Sequence, residues 1–185
     1  RDANVRLNIA VGIVPEETFV KAVAGDLAEV VTMIPPGYSP ANYQPTAMEM
    51  QALSDAAVYF TLQMPTEQAN ILPKIKDFNP DIKIVDLREA AAAVYPLLNI
   101  GEEEEHDEDH EAIDGDHDHT GVDPHLWLSP KRAVVMVQAI ADELSAIDPA
   151  NTGIYQANAA AYVEKLNALD KEIGEKTAAL KNKSF

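Results

Sequence analysis

Residues 7–34 read LNIAVGIVPEETFVKAVAGDLAEVVTMI, and this stretch decides the fold class. Leu7–Val14 is a mostly apolar run ending at Pro15, the pattern of a strand buried on both faces. Glu16–Ala24 reads as a helix, and Gly25 closes it as glycine commonly does. Glu29–Ile34 is a second strand, rich in β-branched residues, and Pro35-Pro36-Gly37 breaks it. A strand, a short helix and another strand make a parallel βαβ unit.

Further along the chain the alternation continues. A loop runs from Pro35 to Pro45, and Thr46-Ala-Met-Glu49 has capping-box spacing, which predicts a helix to about Asp55. Ala57–Leu62 is a third strand, Thr66–Phe78 a third helical pattern interrupted by Pro73, and Lys83–Leu87 a fourth strand. The expected fold class is therefore α/β, a parallel four-stranded sheet flanked by helices. After an alanine-rich stretch, residues 99–124 form a long polar insertion. Ser129-Pro130 then supplies an N-cap and a proline at the first helical position. The helix that follows sets Ala133, Val137, Ile140, Leu144 and Ile147 on one face and ends at Asp148-Pro149.

From Asn151 to about Lys181 the chain reads as one helix, with Tyr155, Ala159, Tyr162, Leu166, Leu169 and Ile173 on a single stripe. Thirty residues would span roughly 45 Å, more than the width of the lobe, so the segment reads as a strut. The expected organisation is an α/β lobe over 1–150, with a His/Asp/Glu-rich insertion at 101–120, and a long linking helix over 151–185.

Composition narrows the function. The chain has 185 residues, 46% of them hydrophobic, enough to bury a core. Its net charge of −17 is uneven: residues 101–119 hold eleven of the 31 acidic side chains and no basic one. That balance argues against nucleic acid and suits capture of cations. Cysteine is absent, which excludes disulfides, thiolate zinc sites and a cysteine nucleophile. No run of 18 apolar residues is present to span a membrane. The opening Arg1-Asp2, without Met or a signal peptide, reads as a mature or recombinant product.

All five histidines fall between positions 106 and 125. His106 and His110 are four apart, His117 and His119 flank Asp118, and His125 follows Asp123-Pro124. Neutral imidazole suits zinc, copper, nickel and iron, and carboxylates add charge and accept harder ions. An acidic run alone would read as a solvated, disordered face. Imidazoles among the carboxylates favour metal contact, since a merely solvating segment has no need of them. A calcium hand is disfavoured: Asp114, Asp116 and Asp118 begin like one, but His119 stands where the turn needs glycine and His125 where the bidentate Glu belongs. His117-x-His119 also resembles half of a binuclear hydrolase site, yet Thr120-Gly121-Val122 follows it. No His-Glu-x-x-His, Gly-x-Ser-x-Gly or phosphate-binding glycine loop occurs. The sequence is not read as an enzyme.

Two further segments carry a resemblance. Val31-Thr-Met-Ile-Pro-Pro-Gly-Tyr-Ser-Pro-Ala-Asn-Tyr-Gln-Pro-Thr46 resembles the Pro-Pro-Gly-x-Ser-Pro-His-x-Tyr-Glu-Pro loop of the metal-specific cluster of periplasmic solute-binding proteins, the zinc/manganese-type ABC importer family. Gly121-Val-Asp-Pro-His-Leu-Trp-Leu-Ser-Pro130 is similar to that family's second signature. The resemblance implies one lobe of a two-lobed solute-binding protein, followed by a rigid linking helix, with the second lobe outside this chain. It also implies a cleft metal site to which His125 contributes. The family's first ligand falls at Ala41, and its glutamate at Gln44. His117 or His119 is the expected replacement imidazole, with His106 and His110 as further metal contacts.

Among the other marked residues, Glu67 follows the third strand and could face the cleft, though it is not read as a ligand. Tyr43 and Pro45 are expected to shape the cleft loop, and Trp127 and Leu128 to pack the lobe. The implied cargo is zinc, with manganese or iron the runner-up. The implied partner is an ABC permease, and the location periplasmic or extracytoplasmic, with any membrane attachment through a lipoprotein anchor outside this chain. The contrasting reading is a metal-buffering or adhesion-type surface protein without a transport role.

Overall fold

A computed structural model of the chain describes residues 5–95 and 128–181. Four strands, β1 (Leu7–Val11), β2 (Ala28–Thr32), β3 (Val58–Thr61) and β4 (Lys83–Asp86), form one sheet in the order β2-β1-β3-β4. Every pairing is parallel. The helices are α1 (Val14–Ala24), α2 (Ala47–Ser54), α3 (Leu72–Phe78), α4 (Leu87–Val94), α5 (Pro130–Ile147) and α6 (Thr152–Lys181).

Strands β1 and β3 lie inside the sheet and are buried on both faces, which is why they read as apolar runs rather than alternating ones. Their period of two still sorts the side chains. Ile9, Val11, Val58 and Phe60 share a core with α1, α5 and the start of α6. Ala10 and Tyr59 share another with Leu53 of α2 and Ile75 of α3. Three layers result, helix, sheet and helix.

Several elements differ from the sequence reading, each for a local reason. β1 stops at Val11: the Gly12 amide is shared between the Phe60 carbonyl and the Glu16 carboxylate, and the Ile13 amide turns to Glu16. Helix α1 starts at Val14, so that Pro15 sits in the first turn, where its missing N–H leaves no bond unmade. The third helical pattern is not one helix. Residues Glu67–Ile71 form a π-helical turn, with the Leu72 amide donating to the Glu67 carbonyl, and α3 follows. Pro73 cannot continue a regular ladder, and the wider turn relieves the clash of its ring with the preceding turn. The alanine-rich stretch is a helix too, α4, capped by Asp86, whose Oδ1 accepts from the Glu89 amide at 2.9 Å.

The long helix is confirmed over Thr152–Lys181. Tyr155 and Ala159 are fully buried, and Tyr162, Val163 and Leu166 pack at the edge of the same core. The Asn158 amide donates to the Val23 carbonyl at 2.9 Å, and the Phe19 and Tyr162 rings meet edge to face at 6.1 Å. Leu169 and Ile173, on the same stripe, are 46% and 47% exposed. The apolar stripe thus continues past the last residue of the lobe that covers it.

Candidate functional site

Strand order changes direction between β1 and β3. The chain leaves β1 toward β2 with α1 on one face, and leaves β3 toward β4 with α3 on the other. In open parallel sheets the crevice at such a switch point, outside the carboxyl ends of the strands, is the usual ligand site. In this chain two buried carboxyl groups fill it.

Glu16 of α1 and Glu67 of the π turn are both completely buried. Glu16 Oε2 accepts from the Gly12 amide at 2.9 Å and the Ile13 amide at 3.0 Å, while Glu16 Oε1 is buried with no hydrogen-bond partner among the described residues. Glu67 Oε1 accepts from the Tyr59 hydroxyl at 2.6 Å, and Glu67 Oε2 from the Met64 amide at 2.8 Å. The two meet over Gly12. A Cβ at that position would stand 2.1 Å from Glu67 Oε1 and 3.1 Å from Glu16 Oε2, so only glycine fits.

Desolvation dominates the electrostatics. It lifts the Glu16 carboxyl well above the usual range; the Glu67 charge and, more weakly, Asp86 add to it, against the opposing effect of the Ile13 and Gly12 amides. Burial also raises Glu67, tempered by the Tyr59 hydroxyl and the Met64 amide. Tyr59 is pushed far up by burial and by the two carboxylates, so it stays a donor.

The loop from Pro35 to Pro45, with Ile34 just before it, links the two segments that carry the pair. The Ile34 amide donates to the Gly12 carbonyl at 2.9 Å, the Thr66 amide to the Pro40 carbonyl at 3.0 Å, and the Asn70 side chain to the Tyr43 carbonyl at 3.3 Å. Tyr43, as expected, shapes the loop: its ring lies 4.5 Å from that of Tyr38, and its hydroxyl donates to Glu49 at 3.0 Å. Glu49 and Thr46 complete the expected capping box at the start of α2. Ala41 and Gln44 lie exposed on this loop.

His106, His110, His117, His119 and His125 lie outside the described residues, as does Trp127. Among the described residues no group of three or more His, Cys, Asp or Glu stands close enough to hold a metal ion. Glu67 does not stand in for the missing imidazole: it faces inward, and both its oxygens are engaged. Leu128, expected to pack, is 68% exposed. The carboxyl pair was missed as a unit. Its signals were a tyrosine inside an otherwise apolar buried strand and a glycine at the strand end, each ordinary alone.

An α/β lobe with a loop-crossed switch-point edge and an outgoing helix is the form of a ligand-binding α/β lobe. The family described as "Zinc-uptake complex component A periplasmic" (ZnuA) matches residues 9–185, and the chain belongs to it. It is 40% identical over 187 residues to the zinc-binding lipoprotein AdcA of Streptococcus pneumoniae, covering 100% of this chain and 36% of that protein. The Zn(II)-bound AdcA crystal structure from that organism superposes with a TM-score of 0.68 at 34% identity, over 92% of this chain and 32% of that one. A crystal structure of ZnuA gives 0.73 at 30% identity, over 92% and 58%. The manganese-binding lipoprotein MntA of Halalkalibacterium halodurans is 29% identical over 158 residues, 85% of this chain and 45% of that protein. The chain thus spans about a third of the length of its AdcA relative.

Proposed function

We propose that this chain is the metal-collecting part of an extracytoplasmic solute-binding protein, which captures a divalent transition metal, zinc first, and hands it to an ABC permease. The observation that carries the reading is the 40% identity, running the whole length of this chain, to a zinc-binding lipoprotein. The imidazole-rich insertion agrees with it, because imidazole suits zinc better than it suits manganese. The work is desolvation, coordination and release of the ion, with no covalent step. A lipoprotein anchor would hold the protein at the membrane surface, as the name of that relative suggests. A second lobe would close the cleft at the far end of α6.

In this reading His125 is a cleft ligand. His117 or His119 folds back to supply the imidazole that Ala41 lacks, and His106 and His110 add weaker contacts. Ligands must shed protons to bind, so affinity falls as pH drops below the ordinary histidine value of about 6.5. Titrating zinc into the full-length protein, its His125→Ala variant and its His117→Ala/His119→Ala double variant tests the assignment. Both variants should weaken the tight site; unchanged affinity in the double variant removes His117 and His119 from it. A manganese or iron cargo is the second reading, favoured by the MntA relative and by the carboxylates.

A further inference from the structure

The Glu16–Glu67 pair has a feature that burial alone does not explain. Both Glu16 amide bonds fall on Oε2, so Oε1 is left buried without a partner among the described residues. A buried carboxylate oxygen with no donor is costly, whereas a carboxylic acid hydroxyl at that atom would itself be a donor. Glu67 has the opposite pattern: each oxygen already accepts from a protein donor, as an anion requires. This asymmetry favours Glu16 as the protonated member and Glu67 as the charged one.

Among the described residues, the charged groups acting on Glu16 from the neighbouring elements are Glu67 and, at the end of β4, Asp86. Both are acidic, and both favour the protonated form. Tyr59, on β3, faces Glu67 and remains neutral. Ile34, just before the Pro35–Pro45 loop, is bonded to Gly12, which Glu16 holds, and Pro40 and Tyr43 within the loop accept from Thr66 and Asn70, which flank Glu67.

We propose that Glu16 and Glu67 act as a single-proton carboxyl pair, Glu16 the acid and Glu67 its carboxylate, which positions the Pro35–Pro45 loop for metal capture. The positioning role rests on the metal-binding reading above; the proton on Glu16 does not. With the proton in place the segments that hold the loop, Gly12 on one side and Thr66 with Asn70 on the other, stay packed together. Without it, two adjacent buried anions push those segments apart, and the loop loses its fixed geometry.

The consequence for pH has a definite sign. An acid with its folded-state pKa raised keeps, when folded, a proton that the unfolded chain releases above about 4.3. Its contribution to stability is full below that value and is lost as pH rises through the raised one.

The test uses the full-length protein as wild type, Glu16→Gln and Glu67→Gln. Glutamine copies a protonated acid, so it suits position 16. At position 67 its amide would face a donor, either the Tyr59 hydroxyl or the Met64 amide. Infrared spectra without metal should show at neutral pH a protonated-carboxyl band that disappears in Glu16→Gln. The melting temperature of Glu16→Gln should fall less on the alkaline side than that of wild type. Glu67→Gln should weaken zinc by about tenfold, the lower end for loss of a group supporting a metal site. Tyr59→Phe, which removes one donor and keeps the volume, reads the same loss if Glu67→Gln does not fold.

A band that survives in Glu16→Gln, or no band in wild type, overturns the proton assignment. Wild-type zinc binding matched by Glu67→Gln and Tyr59→Phe overturns the positioning role alone. A wild type that binds no zinc overturns the metal reading, and the positioning role with it.

Discussion

Gly12→Ala isolates the close approach at the centre of the switch point. Gly12 is not among the described residues with positive φ, so alanine meets no backbone penalty there, and the whole cost is steric. The new Cβ would lie 2.1 Å from Glu67 Oε1, about an ångström inside the shortest contact that real Cβ atoms make. Glu67 has to withdraw, and its bonds to the Tyr59 hydroxyl and the Met64 amide break or lengthen. A hydrogen bond to a charged group contributes roughly 1.5–3 kcal/mol, and overpacking adds about 1–3 kcal/mol, partly relieved by that withdrawal. The expected loss is about 3 kcal/mol. Urea unfolding at pH 7, followed by far-ultraviolet circular dichroism, measures it. The same substitution made in a Glu67→Ala background meets empty space and should cost less than about 1 kcal/mol, so the coupling in the double-mutant cycle should be about 2 kcal/mol. Equal losses in the two backgrounds, or a loss under 1 kcal/mol in the wild-type background, would refute the claim that the Glu67 carboxylate is held against Gly12.

Other expectations follow from single contacts. Tyr155→Phe removes the 2.7 Å bond from its buried ring to Asp148 Oδ2 and should cost about 1 kcal/mol, read by thermal melts. The Asn151 and Tyr155 bonds hold the Asp148 carboxyl below its usual range, so its stabilisation is present above the unfolded value and is lost as pH falls through the folded one. The acid limb of the melting profile should therefore flatten in Tyr155→Phe. Thr46→Ala removes the acceptor for the Glu49 amide and half of the capping box, and should cost about 1 kcal/mol in urea. Leu169→Ala should leave the stability of this lobe within about 0.5 kcal/mol, because that part of the stripe is half exposed on it, whereas Ala159→Leu should cost about 1–3 kcal/mol by overpacking.

The fold was legible in the sequence because its central strands are buried on both faces. Runs such as Leu7–Val14 and Ala57–Leu62 admit few other readings once helices separate them. Their ends were less legible, since they depend on tertiary partners. β1 ends at Val11, where the Gly12 amide divides between the Phe60 carbonyl and a glutamate on the following helix, and the Ile13 amide goes to that glutamate alone. The π turn at Glu67–Ile71 was hidden for a related reason: Pro73 announced a break, but not which way the ladder would open. Helix α4 is only two turns long and rich in alanine, so its cap at Asp86 and Glu89 is its clearest signal.

At the site, the cleft loop was legible through its Pro-Pro-Gly and Tyr43, which do locally what their types predict. The carboxyl pair was not. Glu16 and Glu67 are 51 positions apart, and each looks like an ordinary exposed helix acid until the β1–β3 crossover brings both over one glycine. The five histidines were conspicuous by composition, but spacing alone does not set which of them share an ion.

The central claim is that this lobe supplies metal ligands from its histidine segment to an ion held in a cleft. An anomalous-scattering map at the zinc edge, from crystals of the full-length protein loaded with one equivalent of zinc, tests it most directly. The account predicts a peak bonded to His125 and to one of His117 or His119, beside the loop that carries Ala41. A peak coordinated by no residue of this chain, or no bound zinc at all, would contradict it.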